Sequence, residues 1–225
     1  GQGVVCRGFD LNLRRDVAIK FFDPGAPQSV ARFLREALHC AGLNDPHIVQ
    51  VHDVHRPESG TKSQPPYIVF EFVDGASAKE HLKKGRVTPN ECLPIFLGAT
   101  RGLHLLHDKG ILHRDIKPHN ILICYRTGLV KLSDFGLARS TRDTTVTVDL
   151  QIMGTPPFMA PDLIKKGMGL SSTRADVYAM GATLYYLLAG DAPRIDHQSE
   201  RKRFPSAASI ADRATAAVID RAVHH

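Results

Sequence analysis

The chain has 225 residues, of which 43% are hydrophobic and 23% are charged, and its formal net charge is +6 at pH 7. These proportions are typical of a globular protein with a sizeable core, and by themselves they indicate no function. The positive charge is spread out, and the basic run at residues 201–203 is too short to predict a nucleic-acid partner.

The first predicted elements are a strand that ends in a lysine and an amphipathic helix. Residues 17–20 form a short apolar segment, which predicts a strand carrying Lys20 at its end. Apolar residues recur on one face of residues 30–43, which predicts a helix. A lysine in that position needs an anion to fix it, and Glu36 on this helix is the expected partner, although a lone helical glutamate is most often solvated.

The following segments predict two strands, a hinge and a helix-rich remainder. Strands are expected at residues 48–54 and 67–73, with an exposed loop rich in Pro, Ser and Gly between them. Asp74 and Gly75 mark the expected boundary between an N-lobe of residues 1–73 and a C-lobe of residues 74–225. Helices are expected at residues 92–109 and 172–188, and the sequence contains no internal repeats.

The most informative pattern is His-Arg-Asp-Ile-Lys-Pro-His-Asn at residues 113–120, followed by Asp134-Phe135-Gly136. Transfer of the terminal phosphoryl group of ATP to an alcohol requires a proton acceptor, a divalent metal and positive charge near the transferred group. Asp115 can accept the proton, and Lys117 is the nearby cation. Asn120 and Asp134 offer the oxygen ligands that Mg²⁺ prefers. The combination at this spacing predicts phosphoryl transfer far more specifically than the first three residues alone.

On these motifs the chain resembles a protein kinase domain of the serine/threonine type, closest in texture to the eukaryotic-like kinases of bacteria. The likeness extends over residues 1–225. Residues 154–161, Gly-Thr-Pro-Pro-Phe-Met-Ala-Pro, resemble the peptide-binding end of an activation segment. Asp176 begins a segment similar to the central C-lobe helix, whose aspartate holds the catalytic loop. The resemblance implies an α+β, two-lobe kinase-like fold with a strand-rich small N-lobe and a mainly helical C-lobe, expected to be truncated at both ends.

The resemblance also implies further residues of an ATP site. Lys20 would bind the α- and β-phosphates, and Thr155 would bridge Asp115 and Lys117. Adenine would lie against the main chain of two residues after the second strand, with an aromatic residue behind it. The implied nucleotide-binding residues besides Lys20 and Glu36 are Gly3, Val5, Ala18, Phe70, Glu71, Val73 and Leu122.

The sequence departs from the family pattern in two segments, the glycine-rich loop at the start of the chain and the Ala-Pro-Glu motif. Counting back from Lys20, Gly3 is the third glycine of the phosphate-covering loop and Val5 the valine that packs on adenine. A literal interpretation instead makes Gly1 and Gly3 the first two glycines, with Cys6 in place of the third. The Ala-Pro-Glu motif of the family has Asp162 as its acidic residue, which shortens the reach of the expected ion pair.

Other features indicate a protein of the cytoplasm without membrane contact from this segment. The longest apolar stretch, residues 177–189, is interrupted by Gly181 and is shorter than the roughly 20 residues of a membrane span. The four cysteines are far apart, which predicts neither a disulfide framework nor a zinc knuckle. His104 and His107 have a spacing that can bind zinc, but a helix-end pair without metal is the favoured interpretation.

The predicted function is a serine/threonine protein kinase that uses ATP and Mg²⁺ to phosphorylate protein substrates. Residues 140–147 contain five Ser and Thr residues, and Arg114 could hold a phosphate there, so activation-loop autophosphorylation, for which a homodimer would be suitable, is a hypothesis. A pseudokinase scaffold is the alternative. A small-molecule phosphotransferase is less favoured, because Lys117 and residues 154–162 fit a protein substrate. His119 and Ser77 stand where arginine-directed relatives carry glutamates, so no strong demand for arginine is expected.

Overall fold

The computed structural model describes residues 4–22, 34, 37, 41–56, 65–82, 87–135, 157–166, 171–196, 201–203 and 212–223. Four antiparallel strands form the N-terminal sheet in the order β1-β2-β4-β3. They are β1 (Val4–Asp10), β2 (Arg15–Phe21), β3 (Val51–His55) and β4 (Tyr67–Glu71). The Asp10 carboxylate accepts hydrogen bonds from the Asn12 and Leu13 N–H groups, which forms the turn between β1 and β2.

The register of this sheet places several predicted nucleotide-binding residues on one face. Val5 is opposite Lys20 across β1 and β2, and Ala18 is opposite Phe70 across β2 and β4. Directly opposed residues of an antiparallel pair share a face, and alternate residues of one strand do so as well. Val5, Ala18, Lys20 and Phe70 therefore lie on the same side of the sheet.

The rest of the chain consists of a small sheet, five helices among the described residues, and a hairpin. The sheet has the order β5-β6-β7, with β5 (Gly75–Ser77), β6 (Ile121–Cys124) and β7 (Val130–Leu132), and the hairpin joins β8 (Arg194–Asp196) to β9 (Arg201–Arg203). A 3₁₀ turn, Pro118–Asn120, leads into β6. The helices are α1 (Ala78–Leu82), α2 (Pro89–Asp108), α3 (Pro161–Lys166), α4 (Thr173–Ala189) and α5 (Arg213–Val223).

Helix α2 begins at a complete capping box and packs closely on β7. The Thr88 hydroxyl accepts from the Glu91 N–H, while the Glu91 carboxylate accepts from the Thr88 N–H. Gly98 and Gly102 face the sheet, where a Cβ on Gly102 would lie only 2.5 Å from the His47 carbonyl oxygen. The two glycines thus allow a helix–sheet approach that a side chain would prevent.

Helix α4 is buried around most of its circumference. The Ser172 hydroxyl caps its first turn, and Gly190 ends it in the left-handed conformation at φ 75°. Gly181 packs against Ala222 of α5. Within the described part of the chain, no helix is both long enough and apolar enough to cross a membrane.

Several predicted boundaries differ from the observed ones. The strand predicted at residues 48–54 begins only at Val51, because the preceding segment pairs with another strand, through a parallel bridge between Ile48 and Leu132 of β7. The strand predicted at residues 67–73 ends at Glu71. Of the predicted helix at residues 30–43, Leu34 and Ala37 are helical and buried, whereas residues 41 and 42 form a turn and residue 43 is not helical, so the predicted end lies too late.

Candidate active site

The Asp115 carboxylate is oriented by its two neighbours in the catalytic loop. Lys117 Nζ lies 2.7 Å from Asp115 Oδ2, and Asn120 Nδ2 donates to the same oxygen at 3.0 Å. Asn120 Nδ2 also donates to the Asp115 carbonyl at 2.7 Å, which fixes the backbone. Among the described residues no hydrogen bond reaches Asp115 Oδ1, so this oxygen is available to accept a proton.

The amide of Asn120 and the carboxylate of Asp134 are brought together by the main chain. Asn120 is buried, and its carbonyl accepts hydrogen bonds from the Ser133 N–H at 2.9 Å and the Ser133 hydroxyl at 3.3 Å. Because the Nδ2 group of Asn120 donates its hydrogen bonds to Asp115, the amide oxygen is oriented to bind a cation. Two oxygen donors beside a phosphate site suit Mg²⁺, which takes its other ligands from water and phosphate.

Lys20 forms a close ion pair with Asp134. The lysine is 5% exposed, and its Nζ lies 2.6 Å from Asp134 Oδ1. Asp134 has a positive φ of 57°, a conformation that non-glycine residues rarely adopt and that directs its side chain towards β2. The predicted partner Glu36 lies outside the described residues, so the structure adds a contact for Lys20 that the sequence pattern did not indicate.

Asp176 at the start of α4 holds the catalytic loop from behind. Its Oδ2 accepts the His113 N–H and its Oδ1 the Arg114 N–H, both at 2.8 Å. His107 Nε2 lies 2.9 Å from Asp176 Oδ2 as well. These hydrogen bonds stabilise the φ of 65° at Arg114, which brings Asp115 to the end of the loop.

His113 is fully buried beneath Phe135. The two rings meet edge to face with their centroids 6.3 Å apart. Burial lowers the pKa of His113, because desolvation outweighs the attraction of Asp176, Asp115 and Asp134 for the imidazolium. The imidazole is therefore neutral at neutral pH and belongs to the core, together with the buried Val51.

The implied adenine-binding residues border the same region. Phe70 is buried, and Ala18, Val73 and Leu122 pack against the main core cluster, whereas Val5 is exposed. Among the described residues no hydrogen bond reaches the main chain of Val73. Gly3 and Thr155 lie outside the described residues, so their implied roles remain predictions.

The two histidines of α2, His104 and His107, each contact a carboxylate. His104 lies 3.4 Å from Asp108 on the helix surface, and His107 contacts Asp176. In the described ranges no group of three or more His, Cys, Asp or Glu side chains is arranged to hold a metal ion.

The arrangement of catalytic loop, metal-type oxygens and buried lysine defines a phosphoryl-transfer site on a two-lobe fold. The protein kinase domain family matches residues 1–219, and the chain belongs to this family. The relatives described below make it a serine/threonine kinase catalytic domain of the bacterial type. The expected α+β kinase fold is thereby confirmed.

Curated relatives include the serine/threonine-protein kinases PknB and PknL. PknB of Mycobacterium leprae is 40% identical over 201 residues, which cover 87% of this chain and 32% of PknB. PknL of Mycobacterium tuberculosis is 36% identical over 197 residues, covering 86% of this chain and 47% of PknL. The chain thus spans about a third to a half of the length of these relatives.

The solved structures that it resembles include a kinase domain. The PknI kinase domain of Mycobacterium tuberculosis superposes with a TM-score of 0.75 at 26% identity, covering 99% of this chain and 83% of that structure. Rad53 in complex with AMP-PNP gives a TM-score of 0.69 at 26% identity, covering 89% of this chain and 48% of Rad53.

Proposed function

We propose that this chain is a catalytically active protein kinase domain that transfers the γ-phosphate of ATP to Ser and Thr hydroxyls of proteins. The observation that carries the proposal is the network around Asp115, in which Lys117 and Asn120 orient one carboxylate oxygen, while no hydrogen bond from the described residues reaches the other. A scaffold that only binds partners has no need for this arrangement. The pseudokinase alternative is therefore the weaker one.

In the proposed mechanism, Asp115 orients the substrate hydroxyl and accepts its proton through Oδ1 as the oxygen attacks the γ-phosphorus, while the bond from the γ-phosphorus to the β,γ-bridging oxygen breaks and ADP leaves. Lys117, held 2.7 Å from Asp115, stabilises the negative charge that develops on the transferred group. Lys20, which lies on β2, neutralises the charge of the α- and β-phosphates. The Asp176 hydrogen bonds hold the loop, so that little reorganisation accompanies the reaction.

Asn120 and Asp134 are the residues that would hold Mg²⁺. The amide oxygen of Asn120 and the Asp134 carboxylate form a donor set of the right chemistry. When bound, the metal neutralises phosphate oxygens. Asp134 also accepts from Lys20, so the same carboxylate relates the metal site to the phosphate-binding lysine.

The adenine contacts are proposed for Glu71 and Val73, with Val5, Ala18, Phe70 and Leu122 around the ring. This proposal is supported by the shared face of β1, β2 and β4 and by the main chain of Val73, which no hydrogen bond from the described part of the chain reaches. Glu36, Gly3 and Thr155 are included on the family pattern alone.

We further propose that the substrate is a protein, that Ser or Thr residues within 140–147 are autophosphorylated, and that a homodimer brings two chains together for this reaction. A reducing cytoplasm suits the free Cys6, Cys92 and Cys124.

The experiment that tests the function is transfer of labelled γ-phosphate from MgATP to a protein acceptor by the unaltered chain and by Asp115→Asn. Asn cannot accept the proton but has nearly the same shape, so we expect a rate at least about 100-fold lower with nucleotide binding retained. Equal transfer by both chains would contradict the role of Asp115, and transfer by neither would favour the scaffold alternative.

A further inference from the structure

A second ion pair joins the end of β4 to β7. Lys131 Nζ lies 2.9 Å from Glu71 Oε1 and 3.0 Å from Glu71 Oε2, so the ammonium contacts both carboxylate oxygens. The lysine side chain is 13% exposed and the glutamate side chain 29%, so the pair is shielded from much of the solvent. Its two residues belong to different sheets.

Gln50 completes this connection. The Glu71 N–H donates to the Gln50 carbonyl at 2.8 Å, and the Gln50 N–H donates to Glu71 Oε2 at 3.2 Å. The residues just before Gln50 are bonded to β7, since the Val49 N–H donates to the Leu132 carbonyl at 2.9 Å. Both the main chain and the carboxylate of Glu71 are therefore held relative to β7.

The position of this pair relates it to nucleotide binding. Glu71 supplies main-chain atoms to the proposed adenine site, and Lys131 is directly opposite Leu122, which borders the same site. Among the described residues neither side chain forms a hydrogen bond or ion pair with Asp115 or Lys117, the residues that act on the γ-phosphate in the proposed mechanism. A change in the pair should thus affect how the nucleotide base is held more than how phosphate is transferred.

We propose that Lys131 is a positioning residue that acts through Glu71 to hold the adenine-binding main chain in its bound conformation. The inference rests on the proposed nucleotide site. A main chain fixed before binding loses less conformational entropy when adenine docks, so the ion pair raises affinity without touching the ligand. Loss of the positive charge leaves the Glu71 carboxylate partly buried, with the Gln50 N–H as its one donor among the described residues, which favours its movement towards water.

The test is calorimetric titration of the full chain with adenosine and, separately, with MgADP. For Lys131→Met we expect both dissociation constants to rise by the same factor, about fivefold, because the phosphate contacts are unchanged. Lys131→Arg keeps the charge and should retain most of the affinity. Glu71→Gln is a second disrupting variant of nearly unchanged shape. Asp108→Asn, which removes the exposed pair with His104, is the matched control and should bind normally.

Steady-state kinetics provide an independent readout. In Lys131→Met the KM for ATP should rise by the same factor as the dissociation constants, with kcat within about twofold of the unaltered chain. A general loss of folding would lower kcat as well, and Lys131→Arg would not restore it.

Unchanged adenosine affinity in a folded Lys131→Met or Glu71→Gln chain would overturn the inference alone. An equal loss in Lys131→Arg and Lys131→Met would also overturn it, because the charge would then be irrelevant. Failure of the unaltered chain to bind adenosine would overturn both the inference and the proposed function.

Discussion

Lys20 is the residue at which the N-terminal sheet meets the proposed metal site. Its ammonium is buried within the sheet face that also carries Val5, Ala18 and Phe70, and it contacts Asp134 at 2.6 Å. A buried cation is costly unless it is paired, so the short ion pair is expected in the absence of phosphate. When a nucleotide is present, the same charge can stabilise phosphate oxygens.

Lys20→Met should therefore reduce kcat/KM for phosphoryl transfer by about 100-fold, the loss typical of removing one preorganised charge or donor from a site. Methionine keeps the length of the side chain, so the sheet should remain folded. The rates are measured with MgATP beside Lys109→Met, which alters an exposed lysine after α2. A Lys20→Met chain that is as active as the Lys109→Met control would exclude Lys20 from the site.

Among the secondary-structure elements, the site depends most on the close approach of α2 to β7. Helix α2 carries His107 towards Asp176, and β7 leads directly to Asp134. Gly102 faces the His47 carbonyl, which itself accepts a hydrogen bond from the Leu132 N–H at 2.9 Å. Because that carbonyl is engaged in backbone pairing, it has little freedom to move away.

Gly102→Ala should lower the free energy of unfolding by about 1–2 kcal/mol, although alanine favours helix by about 1 kcal/mol over glycine. The steric overlap with the His47 carbonyl outweighs the gain in propensity. Urea denaturation measures the change, and Gly42→Ala is the control, because a Cβ there would meet nothing within 4 Å. Stabilisation by Gly102→Ala would show that the helix can move away from the sheet at little cost.

The strength of sequence prediction differed between these elements for physical reasons. Helices at residues 92–109 and 172–188 were recovered within three residues of α2 and α4, because apolar periodicity and caps are local signals. The strand at residues 48–54 was placed too early, since the bridge between Ile48 and Leu132 depends on residues far away in the chain. A local sequence pattern does not predict tertiary pairing of this kind.

The site shows the same difference between local sequence signals and contacts between residues far apart in the chain. The loop and metal-type residues could be predicted from spacing, because the chemistry requires those side chains at short intervals along the chain. The contacts of Lys131 with Glu71 and of His107 with Asp176 were not indicated, because each joins residues at least 60 positions apart. Only the folded chain brings these pairs together.

At the scale of the whole molecule, His113 makes stability depend on pH. The pKa of this buried imidazole is lowered from 6.5. Below pH 6.5 the unfolded chain binds a proton that the folded chain does not, so the free energy of unfolding falls as the pH decreases towards the folded pKa. Above pH 6.5 both states are neutral and this group adds no pH dependence. Burial also lowers the pKa of His52 and His119, which act in the same direction.

The unfolding free energy should accordingly be lower at pH 5.5 than at pH 7.5, with His113 contributing up to about 1.4 kcal/mol per pH unit within its window. His113→Leu should reduce this pH dependence. Ile116→Val is the control, since it alters the buried core without removing a titratable group. If His113→Leu shows the full pH dependence of the unaltered chain, the imidazole is not the group responsible.

The central claim is that the oriented Asp115 makes this domain a catalyst, and mass spectrometry of phosphate incorporation after incubation with MgATP tests it most directly. The account predicts phosphoserine or phosphothreonine within residues 140–147 of the unaltered chain and none in Asp115→Asn. Incorporation in both chains, or the absence of phosphate from both chains while they bind nucleotide, would contradict it.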